Sequence, residues 1–311
     1  MKYHLYFHND FDGIASGAVM LDFFKSRGDK IISFNPIDYF PELQKKWPVF
    51  KFKEPFILVD FRYHPKAAFW FDHHSGSFIN KNWQDSFAND KTHYFAPRFK
   101  SCCGAIISHL GKQFGYRPSR RIKELVKWAD MVDSASYKSA KQAIELKEPS
   151  LRLALFLDDD SYPLHQEEII KRLVSEPISK IVKLPFIIKE LKKLDYETIR
   201  AKKIFKDISA LKGKIMFVDT TKTKIFISRY MGYFLYPQIN YFVIVMRSDN
   251  GYHISAGKNP WGKMPNKVPI GEMFGKYGGG GHERVGGVDR RTKSEILKVA
   301  GEIIEYLNKH G

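Results

Sequence analysis

The residues best equipped for chemistry stand near the start of the chain, in His8-Asn9-Asp10-Phe11-Asp12-Gly13. In an extended segment, residues two apart share a face. One imidazole and two carboxylates can therefore point into the same cleft while Gly13 lets the backbone bend away. Such groups repel one another unless a cation sits among them. A polar loop whose aspartates cap the following helix is the alternative that this stretch alone leaves open. Two more stretches have the same character. Phe56-Ile57-Leu58-Val59 runs into Asp60, and Ala67-Ala68-Phe69-Trp70-Phe71 runs into Asp72-His73-His74. A continuous apolar run closing on an acid is how a buried parallel strand delivers a side chain to its C-terminal edge. Further on, Trp128-Ala129-Asp130-Met131-Val132-Asp133 carries two acids three apart, which share one face of a helix.

The elements that must position these groups follow from the surrounding pattern. Lys2 to Phe7 reads as a short buried strand, Ile14 to Arg27 as a helix stopped by Gly28, and Lys30 to Asn35 as a second strand. Residues 36–55 read as irregular. Three strands that each end in acid or imidazole would meet at one crevice in a parallel sheet, where open α/β sheets build their sites. From Lys100 the chain turns helical, with one helix around Ala105-Ile106-Ile107 and another from Ser119 to Met131. More helix follows to Lys183, broken by Pro163, Pro177 and Pro185. Asp158-Asp159-Asp160 reads as a solvated, capping run. Phe186 to Leu211 reads as a long amphipathic helix. Beyond it come strands over Lys214–Asp219, Tyr241–Arg247 and Tyr252–Ala256, the last two joined by a hairpin signal at Asp249-Asn250-Gly251. A helix near Gly271 to Tyr277, a glycine run, a short strand and a helix from Thr292 to Lys309 complete the chain. The fold class expected is α/β: an N-terminal parallel-sheet domain over 1–185, a linker helix over 186–211, and a smaller α+β domain over 212–311.

Length and composition set bounds. The 311 residues, 43% hydrophobic and 15% aromatic, suffice for two packed cores. No run of eighteen apolar residues exists and the N-terminus lacks a signal-peptide pattern, so a soluble cytoplasmic protein with no membrane partner is expected. Adjacent Cys102 and Cys103 cannot form an ordinary structural disulfide and read as helix-packing thiols in a reducing compartment. A net charge of +17 implies attraction to polyanions, as a nucleotide substrate or as no more than a solvated lysine-rich surface.

The ordered set His8-Asn9-Asp10-Phe11-Asp12-Gly13, Val59-Asp60, Asp72-His73-His74 and Trp128-Ala129-Asp130 resembles the motifs of the DHH phosphoesterase superfamily. Gly279-Gly280-Gly281-His282, with Gly287 five residues on, resembles the signature of the DHH-associated C-terminal domain. Val285-Gly286 departs from the small Ala or Ser usual there, which could alter a pocket but removes no ligand. The resemblance implies hydrolysis of phosphoester bonds in short nucleotide substrates (oligonucleotides of a few units, pAp or dinucleotides) by two Mn²⁺ ions, with Mg²⁺ as the alternative to Mn²⁺. Paired divalent cations activate a water and clamp the phosphate, and mixed carboxylate and imidazole ligation suits Mn²⁺. Carried over residue by residue, His8 and Asp10 would hold one metal, Asp12, His73 and Asp130 the other, and Asp60 both. Asp72 would fix a histidine ring, and His74 would face the substrate. Asp133 could instead hold a backbone amide.

In the C-terminal domain the glycine run with His282, Arg284, Lys258 and Ser255 would hold the far end of the substrate, and the resemblance also allows a homodimer. The chain is shorter than full RecJ-type exonucleases, against processive digestion of long strands. The rivals are hydrolysis of polyphosphate or pyrophosphate and a catalytically inactive nucleotide-binding scaffold. His64, His93, His109 and His253 lack partners at ligand spacing, and Trp261 reads as a base-stacking ring or a turn anchor.

Overall fold

The structure, a computed structural model, describes residues 1–158, 165–223, 227–248, 251–262 and 268–311. Pro163, Asp159 and Asp160, and Asp249-Asn250 of the hairpin signal, lie outside the described residues. The chain divides into two compact units, Met1–Tyr137 with Leu146–Leu191, and Lys138–Glu145 with Lys192–Gly311.

The first unit begins with β1 (Lys2–His8), α1 (Phe11–Ser26), β2 (Lys30–Ile37) and the short α2 (Pro41–Lys46), followed by a 3-10 turn over Trp47–Val49. It continues through β3 (Phe56–Val59), β4 (Phe69–Asp72), α3 (Lys81–Ser86), β5 (His93–Phe95), α4 (Cys102–Phe114) and α5 (Arg120–Asp133). Its five strands lie in the order β2-β1-β3-β4-β5. Every pairing is parallel, so all C-terminal ends share one edge. Strands β3 and β4 are buried at every position, which is why they read as unbroken apolar runs.

One face of the sheet packs an aromatic core around Tyr6, Trp47, Phe56, Phe61 and Trp70. The opposite face meets α1, whose Gly17 leaves room for Ile170 and Leu5. Where residues 36–55 read as irregular, β2 runs on to Ile37 and two short helical turns follow. The aromatic side chains there are core, with Trp47 fully buried. Neither α3 nor β5 is legible from periodicity, since six and three residues are too few to establish one.

The second unit takes α6 (Ala140–Glu145) from earlier in the chain. Helices α7 (Pro149–Leu157), α8 (Gln166–Ser175) and α9 (Ile178–Ile181) return to the first unit, and α10 (Pro185–Ile208) runs from the first into the second. Then come β6 (Ser209–Lys212), β7 (Ile215–Asp219), α11 (Tyr230–Leu235), β8 (Tyr241–Ser248), β9 (Gly251–Lys258), α12 (Ile270–Gly275), β10 (Gly280–Gly281), β11 (Val285–Arg290) and α13 (Lys293–His310). The sheet is mixed, in the order β10-β11-β9-β8-β7-β6. Its centre is covered on both sides. Tyr241, Val243 and Val245 of β8 join a core with Ile296 and Ile303 of α13, while Phe242 and Ile244 join one with Ala201 and Phe205 of α10. The period of two sorts the residues between the two cores. Residues 209–211, expected to end the long helix, instead form the edge strand β6. Helix α13 opens with a capping box between Thr292 and Glu295, worth about 1 kcal/mol.

Candidate metal centre

Within the first unit, the sheet edge gathers the acids and histidines of four chain segments. His8 closes β1, and Asp10 is the N-cap of α1, its carboxylate accepting the Gly13 N–H at 2.8 Å. The capping role and a place at the site thus belong to the same residue. Gly13 is required sterically, because a Cβ there would stand 2.1 Å from the His8 carbonyl oxygen. Asp12 lies in the first turn of α1 and is buried. It accepts the backbone N–H groups of Cys102 at 2.6 Å and Cys103 at 3.1 Å, so the N-terminus of α4 holds this carboxylate. The two thiols are free and buried.

Asp60 follows β3 with φ of +57°, the left-handed region that non-glycine residues seldom enter. Its exposure is 0%. A strained backbone of this kind costs on the order of 1 kcal/mol and needs surroundings that enforce it. Here they are visible: the Asp60 N–H donates to Phe71 O, Trp70 Nε1 donates to Phe61 O, and Trp47 Nε1 donates to Tyr63 O, each at 2.9 Å. Asp60 Oδ2 lies 3.7 Å from His8 Nδ1, while Oδ1 lies 3.7 Å from His73 Nε2. The carboxylate thus stands between two groups of donors. His8, Asp10 and Asp60 offer atoms all within 4.8 Å of one another, and so do Asp12, His73 and Asp133.

The histidines are oriented by their other nitrogens. His73 Nδ1 bonds to Phe99 O at 3.2 Å, leaving Nε2 toward Asp12 and Asp60. His74 Nδ1 bonds to Asp72 Oδ1 at 2.9 Å, so Asp72 fixes the His74 ring. Asp72 also accepts the His73 N–H at 2.8 Å and the Ser77 hydroxyl at 2.5 Å. His74 Nδ1 also lies 3.6 Å from Asp60, and Asp60, His73 and His74 form a third group of donors within 4.8 Å of one another.

Asp133 and Asp130 are separated by their surroundings. Asp133 Oδ2 lies 3.3 Å from His73 Nε2, whereas Asp130 accepts the Ser101 hydroxyl at 2.5 Å beside the N-terminus of α4. Asp130, assigned to the second metal by the resemblance, therefore stands outside the cluster of ligand atoms, and Asp133 stands within it. Sequence reasoning also passed over Asp38, whose carboxylate lies 3.4 Å from His8 Nε2. The signal was present, because β2 pairs with β1 up to Ile37 opposite His8. Asp38 is thus a further acid directly following a parallel strand. Tyr39 was passed over too, its ring 5.0 Å from that of His8.

The electrostatics are those of buried acids crowded together. Burial, then Asp12 and Asp10, push the Asp60 carboxyl well above its usual range. Burial and Asp10 raise Asp12, and burial and Asp12 raise Asp133 to about 6. For His74 burial works downward, but Asp72 outweighs it and holds the imidazole up at about 9. His8 Nδ1, His73 Nε2 and both oxygens of Asp60 are buried without a hydrogen-bond partner. Buried polar atoms are seldom left so. Hard oxygen donors mixed with imidazole nitrogens are the donor set for a divalent cation such as Mn²⁺, so the residues fit the implied metals.

In the second unit, Ser255 and Lys258 lie on β9, whose residues 252–257 pair antiparallel with β11. Lys258 is buried to 9% exposure and its Nζ lies 3.4 Å from Glu283 Oε1. Ser255 Oγ donates to Gly286 O at 3.3 Å. Gly280 and Gly281 pair with Gly287 and Gly286, and His282 and Arg284 are exposed on the turn between. The glycines serve close backbone packing. A Cβ would stand 2.3 Å from Gly287 O at Gly279 and 2.3 Å from Val285 O at Gly281, while at Gly280 nothing lies within 4 Å. The other histidines have ordinary partners: His64 packs in the aromatic core, His93 Nε2 bonds to Ala67 O, His109 Nε2 to Lys91 O, and His253 Nδ1 to Asp289. Trp261 packs against Tyr230 and Tyr233.

No family model matches the chain, and no curated protein matches it. Solved structures do. A pGpG-specific phosphodiesterase, PggH from Vibrio cholerae, superposes with a TM-score of 0.73 at 19% identity over 99% of this chain and 100% of its own. RecJ from Thermus thermophilus in complex with Mn²⁺ gives 0.57 at 11% identity over 100% of this chain, which spans 52% of the RecJ chain. An exopolyphosphatase-related protein from Bacteroides fragilis gives 0.50 at 14% identity over 98% of this chain and 92% of its own. The chain shares its fold with these structures. Among the described residues no helix is long and apolar enough to cross a membrane.

Proposed function

We propose that the protein is a divalent-metal-dependent phosphoesterase that hydrolyses short nucleotide substrates, with Mn²⁺ as the working ion. The observation that carries this reading is Asp60. Its two buried, unpartnered carboxylate oxygens face separate donor groups, His8 with Asp10 on one side and His73 with Asp12 and Asp133 on the other. Bound there, two divalent cations would supply an activated water and draw charge off the phosphoryl oxygens. The protein's own groups do the rest. Asp72 holds the His74 ring through Nδ1, so Nε2 can bind a phosphoryl oxygen or give a proton to the leaving oxygen. The α4 amides aim Asp12 and favour its ionised form against the burial that opposes it. In the second unit we assign His282, Arg284, Lys258 and Ser255, with Gly279, Gly280 and Gly281, to substrate binding, where exposed backbone and basic side chains suit a terminal phosphate. A dinucleotide is favoured because PggH, a pGpG phosphodiesterase, matches the chain end to end. Two free, buried cysteines suit a cytoplasmic enzyme.

The test is to assay pGpG, pApA, pAp and polyphosphate side by side with Mn²⁺, with Mg²⁺ and after chelation, and to count bound metal in the purified protein. Cleavage of a dinucleotide with two ions per chain is expected. Polyphosphate as the sole substrate would replace the nucleotide reading. Full metal loading with no hydrolysis of any of the four would leave a binding scaffold.

A further inference from the structure

Beside the metal centre, and wholly within the first unit, lies a cavity of about 310 Å³ lined by Asn9, Pro36, Ile37, Asp38, Phe40, Leu43 and Phe50. Its walls are apolar except at two points, Asn9 and Asp38, which stand on the side nearest the metal centre. Asn9 precedes Asp10. Its side-chain oxygen accepts a hydrogen bond from Gln166 Nε2 at 2.6 Å, which turns the amide NH₂, a donor, the other way. Asp38 is an acceptor, and its Oδ1 lies 3.4 Å from His8 Nε2. The opposite nitrogen of the same ring, Nδ1, faces Asp10 and Asp60. Through Asp38 the cavity therefore adjoins the ring whose other nitrogen faces the ligand cluster. Phe40, one of the lining residues, stands 63% exposed.

An apolar cavity with one donor, one acceptor and an exposed aromatic ring among its lining residues has the chemistry of a nucleobase site. We infer that this cavity receives the purine base of the nucleotide whose phosphate lies at the metal centre, with Phe40 stacking on the base, Asp38 accepting its exocyclic amine and Asn9 donating to a ring nitrogen or carbonyl. The inference rests on the phosphoester reading for the position of the phosphate, but recognition of the base requires no turnover. A cavity of about 310 Å³ has room for the two-ring width of a purine between Ile37, Leu43 and Phe50. The subsite makes the first unit selective for the base, a property that a polyphosphate hydrolase would not need.

The experiment is equilibrium binding by calorimetry to the full-length, Mn²⁺-loaded protein, with AMP, GMP, CMP, UMP and ribose 5-phosphate as probes. Ribose 5-phosphate keeps the phosphate and sugar and lacks the base. At least one purine monophosphate should bind tenfold or more tighter than ribose 5-phosphate, with CMP and UMP close to the base-free probe. Phe40→Ala, at an exposed position that cannot unseat the core, should remove most of that advantage and leave ribose 5-phosphate binding unchanged. Leu43→Trp, which fills the cavity, should remove it entirely. Equal binding of purine monophosphates and ribose 5-phosphate to the unaltered protein would overturn the subsite, as would Phe40→Ala weakening both alike. Pyrimidines binding as tightly as purines would overturn the purine assignment. Absence of hydrolysis in the substrate assays would refute the enzymatic reading while leaving these binding differences to stand or fall alone.

Discussion

The candidate sites of the two units are built from opposite materials. In the first it is side chains: buried carboxylates and imidazoles converge at a sheet edge beside an aromatic core, with Asp12 and His74 held by hydrogen bonds and the oxygens of Asp60 by none. In the second it is backbone: Gly279 and Gly281 press against the carbonyls of β11 so tightly that no side chain fits, and the charged groups His282, Glu283 and Arg284 stand in solvent. A side-chain site stores electrostatic strain that a cation can relieve. A backbone site stores none and is sensitive to volume instead. The two should therefore fail in different ways when altered.

The sharpest separation should come from Asp60→Asn. Asparagine tolerates the left-handed backbone but cannot bridge cations. Hydrolysis should fall by roughly a thousandfold or more, several kcal/mol of lost charge stabilisation. Yet the metal-free protein should melt a few degrees higher, because a repelling buried carboxylate is gone. Melting curves with and without Mn²⁺ check both halves, and a metal-free variant that melts lower would contradict the account of strain. Asp133→Asn should reduce kcat about a hundredfold, whereas Asp130→Asn should cost mainly stability, about 1 kcal/mol for its bond to Ser101. If steady-state kinetics reverse that order, Asp130 is the ligand.

Gly281→Ala should destabilise the second unit by roughly 2 kcal/mol, because it adds a clash at 2.3 Å to a φ of +148°. Gly280→Ala, with open space around it, should be nearly silent in a denaturant titration. His282→Ala should raise KM about tenfold, near 1.4 kcal/mol, with kcat within a factor of two and no change in melting. Unchanged KM on every active substrate would remove that residue from the substrate site.

The remaining difference lies in pH dependence. Asp133 is raised to about 6 and His74 to about 9, so the folded, metal-free protein holds protons that the unfolded chain has released. Stability must then fall as pH rises between about 5 and 9. The melting temperature with chelator should drop over that range, and saturating Mn²⁺ should flatten the slope.

What could be read from the sequence tracks the same contrast. Asp12 was legible only from its spacing two residues after Asp10. The positions of His8, Asp60 and His73 at the sheet edge were legible because a buried parallel strand advertises itself as an apolar run and the residues at or just past its end reach that edge. The same rule would have found Asp38 had β2 been carried past Asn35. Pro36 obscured it, although an edge strand accepts proline readily. The choice between Asp130 and Asp133 was not legible. Both lie on one face of α5, and what divides them is Ser101, twenty-nine residues earlier in the chain. The closeness of the glycines to β11 was hidden for a related reason, since a glycine run in sequence says nothing of which backbone it touches.

The turn at Asp60 has a spectroscopic side as well. Two tryptophans, Trp70 and Trp47, hold the carbonyls of the first and third residues after this aspartate. Their emission is therefore coupled to the very segment that ion loading would settle. The molecule carries its own optical reporter, and a paramagnetic ion could be followed into place by fluorescence quenching without attaching a label.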